Sequence, residues 1–104
     1  MGKEYEDIKE EFWKPETKGN AVNGILMIAK KGVGENKAML YSLRKEGGGV
    51  IHIWGSTVLD EKMVTIQQGD DIRIIYEGKV EPEGKGKAYH NYKIQKIRSE
   101  EDSD

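Results

Sequence analysis

The chain carries two histidines, His52 and His90, and no cysteine. Lack of cysteine removes disulfides, thiolate metal sites and thiol nucleophiles together. The histidines do not recur at metal-ligand spacing such as H-x3-H. Asp70-Asp71 is a pair of carboxylates, but it stands at a turn leading into a strand, and no further ligands accompany it. Gly84-Lys85-Gly86-Lys87 lacks the first part of a phosphate-cradling G-x-x-x-x-G-K-[ST] loop and the helix that should follow. These residues predict neither catalysis nor a metal or cofactor. Their chemistry is that of contact, with aromatic faces and cations side by side.

Trp54 and His52 are the core of that set. If Ile51 and Ile53 face inward, strand alternation sends Val50, His52 and Trp54 outward together. An exposed indole beside an imidazole is a platform on which a planar ring can stack, at about 1–3 kcal/mol per nucleobase. The alternative is a rim residue packed on the following helix, since Gly55-Ser56 marks the strand end. Arg44, on a neighbouring strand, can pair with phosphate or stack on a ring. Tyr41 lies between Met39 and Leu43, which reads as core more than as ligand contact. Tyr89 and His90 follow Lys85 and Lys87 in a glycine-rich loop, a composition suited to clamping an anionic backbone. Lys31 and Lys37, with Lys30, extend the basic track. Tyr76 and Tyr92 continue inward alternations and belong to the core.

The elements that must position these groups follow from periodicity and punctuation. Residues 3–14 carry Tyr5, Ile8 and Phe12 at helical spacing, and Pro15 ends any helix there. A first strand runs over Asn20 to Lys30, with Gly24 where the strand bends or another backbone comes close. Lys30 to Lys37 reads as a turn, Ala38 to Lys45 as the second strand, and Val50 to Gly55 as the third. Thr57 can cap a short helix whose Leu59 and Met63 form one apolar face, with Asp60 near its positive end. Ile72, Ile74 and Tyr76 alternate in a fourth strand. A solvated 81–87 loop leads to a fifth, Tyr89 to Arg98. Three strands, a helix and two strands is the order of the OB-fold, a five-stranded Greek-key barrel. The expected fold is therefore all-β, with a helical or irregular extension over 1–16, the barrel over 17–98 and an acidic, disordered tail over 99–104.

Charge is divided unevenly along the 104 residues. The whole chain is −2, with 36% hydrophobic and 35% charged residues, so the core is modest and single. Residues 1–16 hold three lysines against six acids, and 99–104 add four acids and no base. The body between them holds fourteen Lys or Arg against nine acids, a balance of +5, which permits a polyanionic partner. No apolar run is long enough to span a bilayer, and the N-terminus lacks a signal-peptide core. Glu6 also breaks the myristoylation pattern. The expected location is the cytoplasm, with nucleoid association, or a host cytoplasm if the protein is viral.

Several segments together resemble the small single-OB single-stranded-DNA-binding proteins of phages and prokaryotes, and more distantly the OB modules of replication protein A. They are Glu11-Phe12-Trp13-Lys14-Pro15, Val50-Ile51-His52-Ile53-Trp54-Gly55-Ser56-Thr57-Val58-Leu59, Gly69-Asp70-Asp71-Ile72-Arg73-Ile74, Tyr76-Glu77-Gly78 and Gly86-Lys87-Ala88-Tyr89-His90-Asn91-Tyr92. The resemblance spans most of 11–97. It implies sequence-tolerant binding of single-stranded DNA on the face of the second and third strands and in the 81–90 loop, without a cofactor. The implied setting is replication, recombination or repair, with proteins of those processes and further copies of the chain as partners. The Glu100 to Asp104 tail matches an acidic-tail habit of such binders, though it ends on Asp104 and not on an apolar residue. An RNA-binding module and a protein-interaction module are the alternatives, since 2′-hydroxyl contacts are not legible in sequence.

Overall fold

The computed structural model describes residues 11–35, 37–84 and 86–97. They form a mostly β structure, a strongly curled half-barrel of six strands with one short helix. In chain order the elements are β1 (Glu11–Phe12), β2 (Ala21–Val33), β3 (Ala38–Arg44), β4 (Val50–Trp54), α1 (Thr57–Met63), β5 (Asp71–Val80) and β6 (Tyr89–Lys96). The sheet order is β1-β4-β3-β2-β5-β6, antiparallel throughout except for the parallel pair β1–β4.

The five expected strands are β2 to β6, and β1 is an addition. Residues 11–12 are strand and 13–14 are not helical, while residues 3–10 of the expected 3–14 helix lie outside the described residues. Pro15 disfavours the helical region at Lys14, and the two adjacent aromatics before it suit an extended backbone. Pairing with the open edge of β4 completes the preference. Glu11 stands beside Ile51 and Phe12 beside His52, and Trp13 N–H donates to the His52 carbonyl at 2.9 Å.

β2 also runs further than its lysine-rich end suggested. It continues to Val33, and the described turn residues are Gly34, Glu35 and Lys37. The strand serves both halves of the sheet. Its first part pairs with β5, from Ala21 opposite Ile75 to Ile25 opposite Asp71, and its later part with β3. Gly24 sits at the change-over. A Cβ there would lie 2.6 Å from the Arg44 carbonyl oxygen, so close backbone approach explains this glycine.

Alternation fills the inside of the curl. Val22, Leu26, Tyr41, Leu43, Ile51, Ile53, Ile72 and Ile74 are buried there, with Leu59 and Met63 of α1 closing one end. Thr57 is the first helical residue and not the cap. Ser56 holds the extended cap conformation, and its hydroxyl accepts from Leu59 N–H at 3.3 Å. The Asp60 carboxylate is spent on the Tyr41 hydroxyl, which donates at 2.6 Å and ties α1 to β3. The ends of the sheet approach each other through side chains. Trp13 packs on Tyr92 of β6 with ring centres 6.1 Å apart, and Lys62 of α1 donates to Asn91 Oδ1 at 3.0 Å and to the Tyr92 carbonyl. No helix among the described residues is long and apolar enough to cross a membrane.

Candidate nucleic-acid interface

Residues opposite one another in register share a face, so pairing defines the outer surface of the curl. Across β3 and β4 it presents Leu40 beside Trp54, Ser42 beside His52 and Arg44 beside Val50. A register shift between Leu26 and Ile28 turns β2 over, bringing Ile28 opposite Ser42 and Lys30 opposite Leu40 on the same surface. The bulge thus explains why an apolar stretch ends with Met27 and Ile28 exposed.

Trp54 is 42% exposed at the end of β4. Phe12 is its stacking neighbour. The two rings are nearly parallel, with an interplanar angle of 10° and centroids 5.9 Å apart. Phe12 also lies against His52 at 5.2 Å, and the His52 Nδ1 shares a 2.7 Å hydrogen bond with the Ser42 hydroxyl. One tryptophan face is therefore backed by Phe12, and the imidazole is fixed by Ser42. An ordered ring loses less conformational freedom when a ligand stacks on it than a mobile one does. The β2–β3 turn reaches over this cluster, since a Cβ on Gly34 would stand 3.6 Å from Trp54 Cη2.

The cations expected around this face are distributed at its two ends. Lys31 lies late in β2 and Lys37 in the turn, both exposed, while Arg44 is exposed at the far end of β3. None of the three makes an ion pair among the described residues, whereas Lys45 is held by Glu11 at 2.8 Å. Tyr41 is only 3% exposed, with its hydroxyl on Asp60, so the structure gives it no surface for a ligand. Burial and the hydrogen bond to the Asp60 carboxylate push its hydroxyl well above the usual tyrosine pKa.

The second expected group belongs to another part of the sheet. Tyr89, 40% exposed, starts β6 opposite Val80, and Lys87 is exposed in the loop before it. His90 is tied down, its Nδ1 2.6 Å from the hydroxyl of buried Tyr76. Lys85 lies outside the described residues. In the hydrogen-bonded order three strands separate β6 from β4. The structure thus brings His52, Trp54 and Arg44 onto one face and leaves Tyr89, His90 and Lys87 on a separate hairpin.

Comparison with protein-family models, curated proteins and solved structures gives no match to this chain. The interface is therefore read from its own geometry. Sequence reasoning missed Phe12, whose helical spacing with Tyr5 and Ile8 drew it into a helix. The available signal was Phe12-Trp13 immediately before a residue that proline keeps extended. No group of three or more His, Cys, Asp or Glu residues able to hold a metal ion is found among the described residues.

Proposed function

We propose that this chain is an OB-type module that binds single-stranded DNA with little sequence preference, as part of replication, recombination or repair in a cytoplasmic, nucleoid-associated setting. The Phe12–Trp54 stack beside His52 on the outer face of β3 and β4 carries the reading. A base laid on the open face of Trp54 extends an existing stack. Every base has such a face, so this contact tolerates any sequence. Exposed Lys30, Lys31, Lys37 and Arg44 around the stack support the reading as candidate phosphate contacts.

The OB assignment is supported by the order β4-β3-β2-β5-β6, by α1 between β4 and β5, and by a bent β2 shared between the two halves of the sheet. Titration with oligo-dT, followed by tryptophan fluorescence at low salt, tests the function. Quenching that weakens steeply as salt rises supports it, and no quenching or binding at low salt refutes it. Oligo-rU of equal length separates a DNA from an RNA preference. A protein-interaction surface is the second reading, favoured by Met27 at 40% and Ile28 at 53% exposure beside the aromatic cluster.

A further inference from the structure

The same outer face continues past Arg44 into a groove of about 1110 Å³ at the bend of β2. Register alone assembles its floor. Asn23 on β2, Arg73 on β5 and Gln95 on β6 stand opposite one another in a row across three strands. The adjacent row runs from Asp71 through Ile25 to Arg44, and Arg44 is paired with Val50 on β4. The β3–β4 turn, Lys45 to Gly48, forms one wall, and Lys96 and Ile97 form the other.

The floor is rich in donors that the protein itself does not use. Among the described residues neither Arg44 nor Arg73 makes an ion pair, and no side-chain hydrogen bond occupies Asn23 or Gln95. The two lysines at the rim are already engaged, Lys45 by Glu11 at 2.8 Å and Lys96 by Asp70 at 3.3 Å. Two acids, Glu46 and Asp71, also line the groove, so its attraction rests on directed guanidinium and amide donors more than on net charge.

We propose that this groove is a second subsite, which holds the sugar–phosphate backbone of a single strand whose bases lie on the Trp54 platform. This inference rests on the single-strand reading given above. Arg44 belongs to both regions and makes the path continuous. With strands about 4.8 Å apart and a rise of about 3.3 Å per residue, Trp54 and Arg73 are roughly 25 Å apart along the sheet surface. An extended strand can cover that span within the 4–16 nucleotides or so that one such module occupies. The groove therefore sets the site size, and the platform supplies the stacking.

The test uses the full chain with dT oligomers of about four and about twelve nucleotides, followed by anisotropy of labelled DNA across a salt series. The variants are Arg73→Gln, Gln95→Glu and Arg73→Lys, all exposed strand positions. Arg73→Gln and Gln95→Glu should weaken binding of the longer oligomer about three- to tenfold at low salt, and Arg73→Gln should reduce the log–log salt slope by about 0.7. Binding of the short oligomer should stay unchanged, and Arg73→Lys should retain the parental slope. If both charge-altering variants bind the longer oligomer with parental affinity and slope, the groove is overturned while the platform stands. If the parent binds neither oligomer, both readings fall.

Discussion

Replacing Trp54 by leucine separates stacking from packing. The indole is 42% exposed, so more than half of it is covered, with Phe12 stacked beside it and the Gly34 turn near its edge. Covered area of that order, about 150 Å² for an aromatic side chain, is worth at most about 4 kcal/mol of stability at 25 cal/mol/Å². Truncation to alanine would forfeit much of that in a domain whose net stability is about 5–15 kcal/mol. Leucine keeps most of the apolar contact with Phe12 but has no π-face. Trp54→Leu should therefore melt within a few degrees of the parent yet lose about 1–3 kcal/mol of oligo-dT affinity, roughly a five- to 150-fold rise in Kd. Trp54→Phe keeps a ring and should lose less. The assay is calorimetry or anisotropy with labelled DNA, because the substitution removes one of the two tryptophans that report by fluorescence. A folded Trp54→Leu protein with parental affinity would refute the stacking argument.

Other consequences follow from single contacts. Gly24→Ala should destabilise the fold by about 1–3 kcal/mol in urea melts, because the new methyl meets backbone 2.6 Å away and backbone cannot rotate aside. A wild-type midpoint would show that β2 and β3 separate there. Tyr41 should stay protonated above pH 10 in the folded protein while the unfolded chain ionises near 10.0. Its stabilising contribution is complete below that value and declines above it by about 1.4 kcal/mol per pH unit, and Tyr41→Phe should remove this decline from alkaline melts. Deleting residues 99–104 removes four acids, and oligo-dT affinity should rise severalfold if they compete with phosphate. In stopped-flow between about 50 and 200 mM salt, the dissociation rate should change more than the association rate, because a chain of net charge −2 does not steer a polyanion from afar.

Much of the fold was legible because inward alternation is a strong local signal. Ile51 and Ile53, Ile72, Ile74 and Tyr76, and Leu59 with Met63 are all buried as their spacing requires. What escaped depended on partners far away in sequence. Phe12 is a strand residue because β4 offers an open edge, and nothing within 3–14 announces that edge. Lys30 and Ile28 reach the outer face through a bulge that exists only in the pairing with β3. His90 looked free beside Lys87 because its partner, the Tyr76 hydroxyl, lies on another strand. Trp54, His52 and Arg44 were legible as a set, since one alternation and one pairing suffice to bring them together.

An acidic composition is compatible with the proposed nucleic-acid face, because part of the acid is held by partners within the fold. Glu11 is held by Lys45 at 2.8 Å, and Asp60 accepts from Tyr41. Asp70 accepts from the Gln67 N–H at 2.8 Å and meets Lys96. The Gln67 N–H, followed by Lys96, holds its carboxyl below the usual carboxylate range. Among the described residues Glu46 and Asp71, which line the groove, make no ion pair, and neither do Lys30, Lys31, Lys37, Arg44 and Arg73. Exposed charges further apart than about 8–10 Å scarcely sense one another at physiological salt. On the proposed reading, a bound strand would respond to the cations directly beneath it, and the net charge of −2 would govern only the approach from a distance. Affinity would then come from short-range stacking and directed donors, and the Phe12–Trp54 stack beside His52 is the geometry on which that proposal rests.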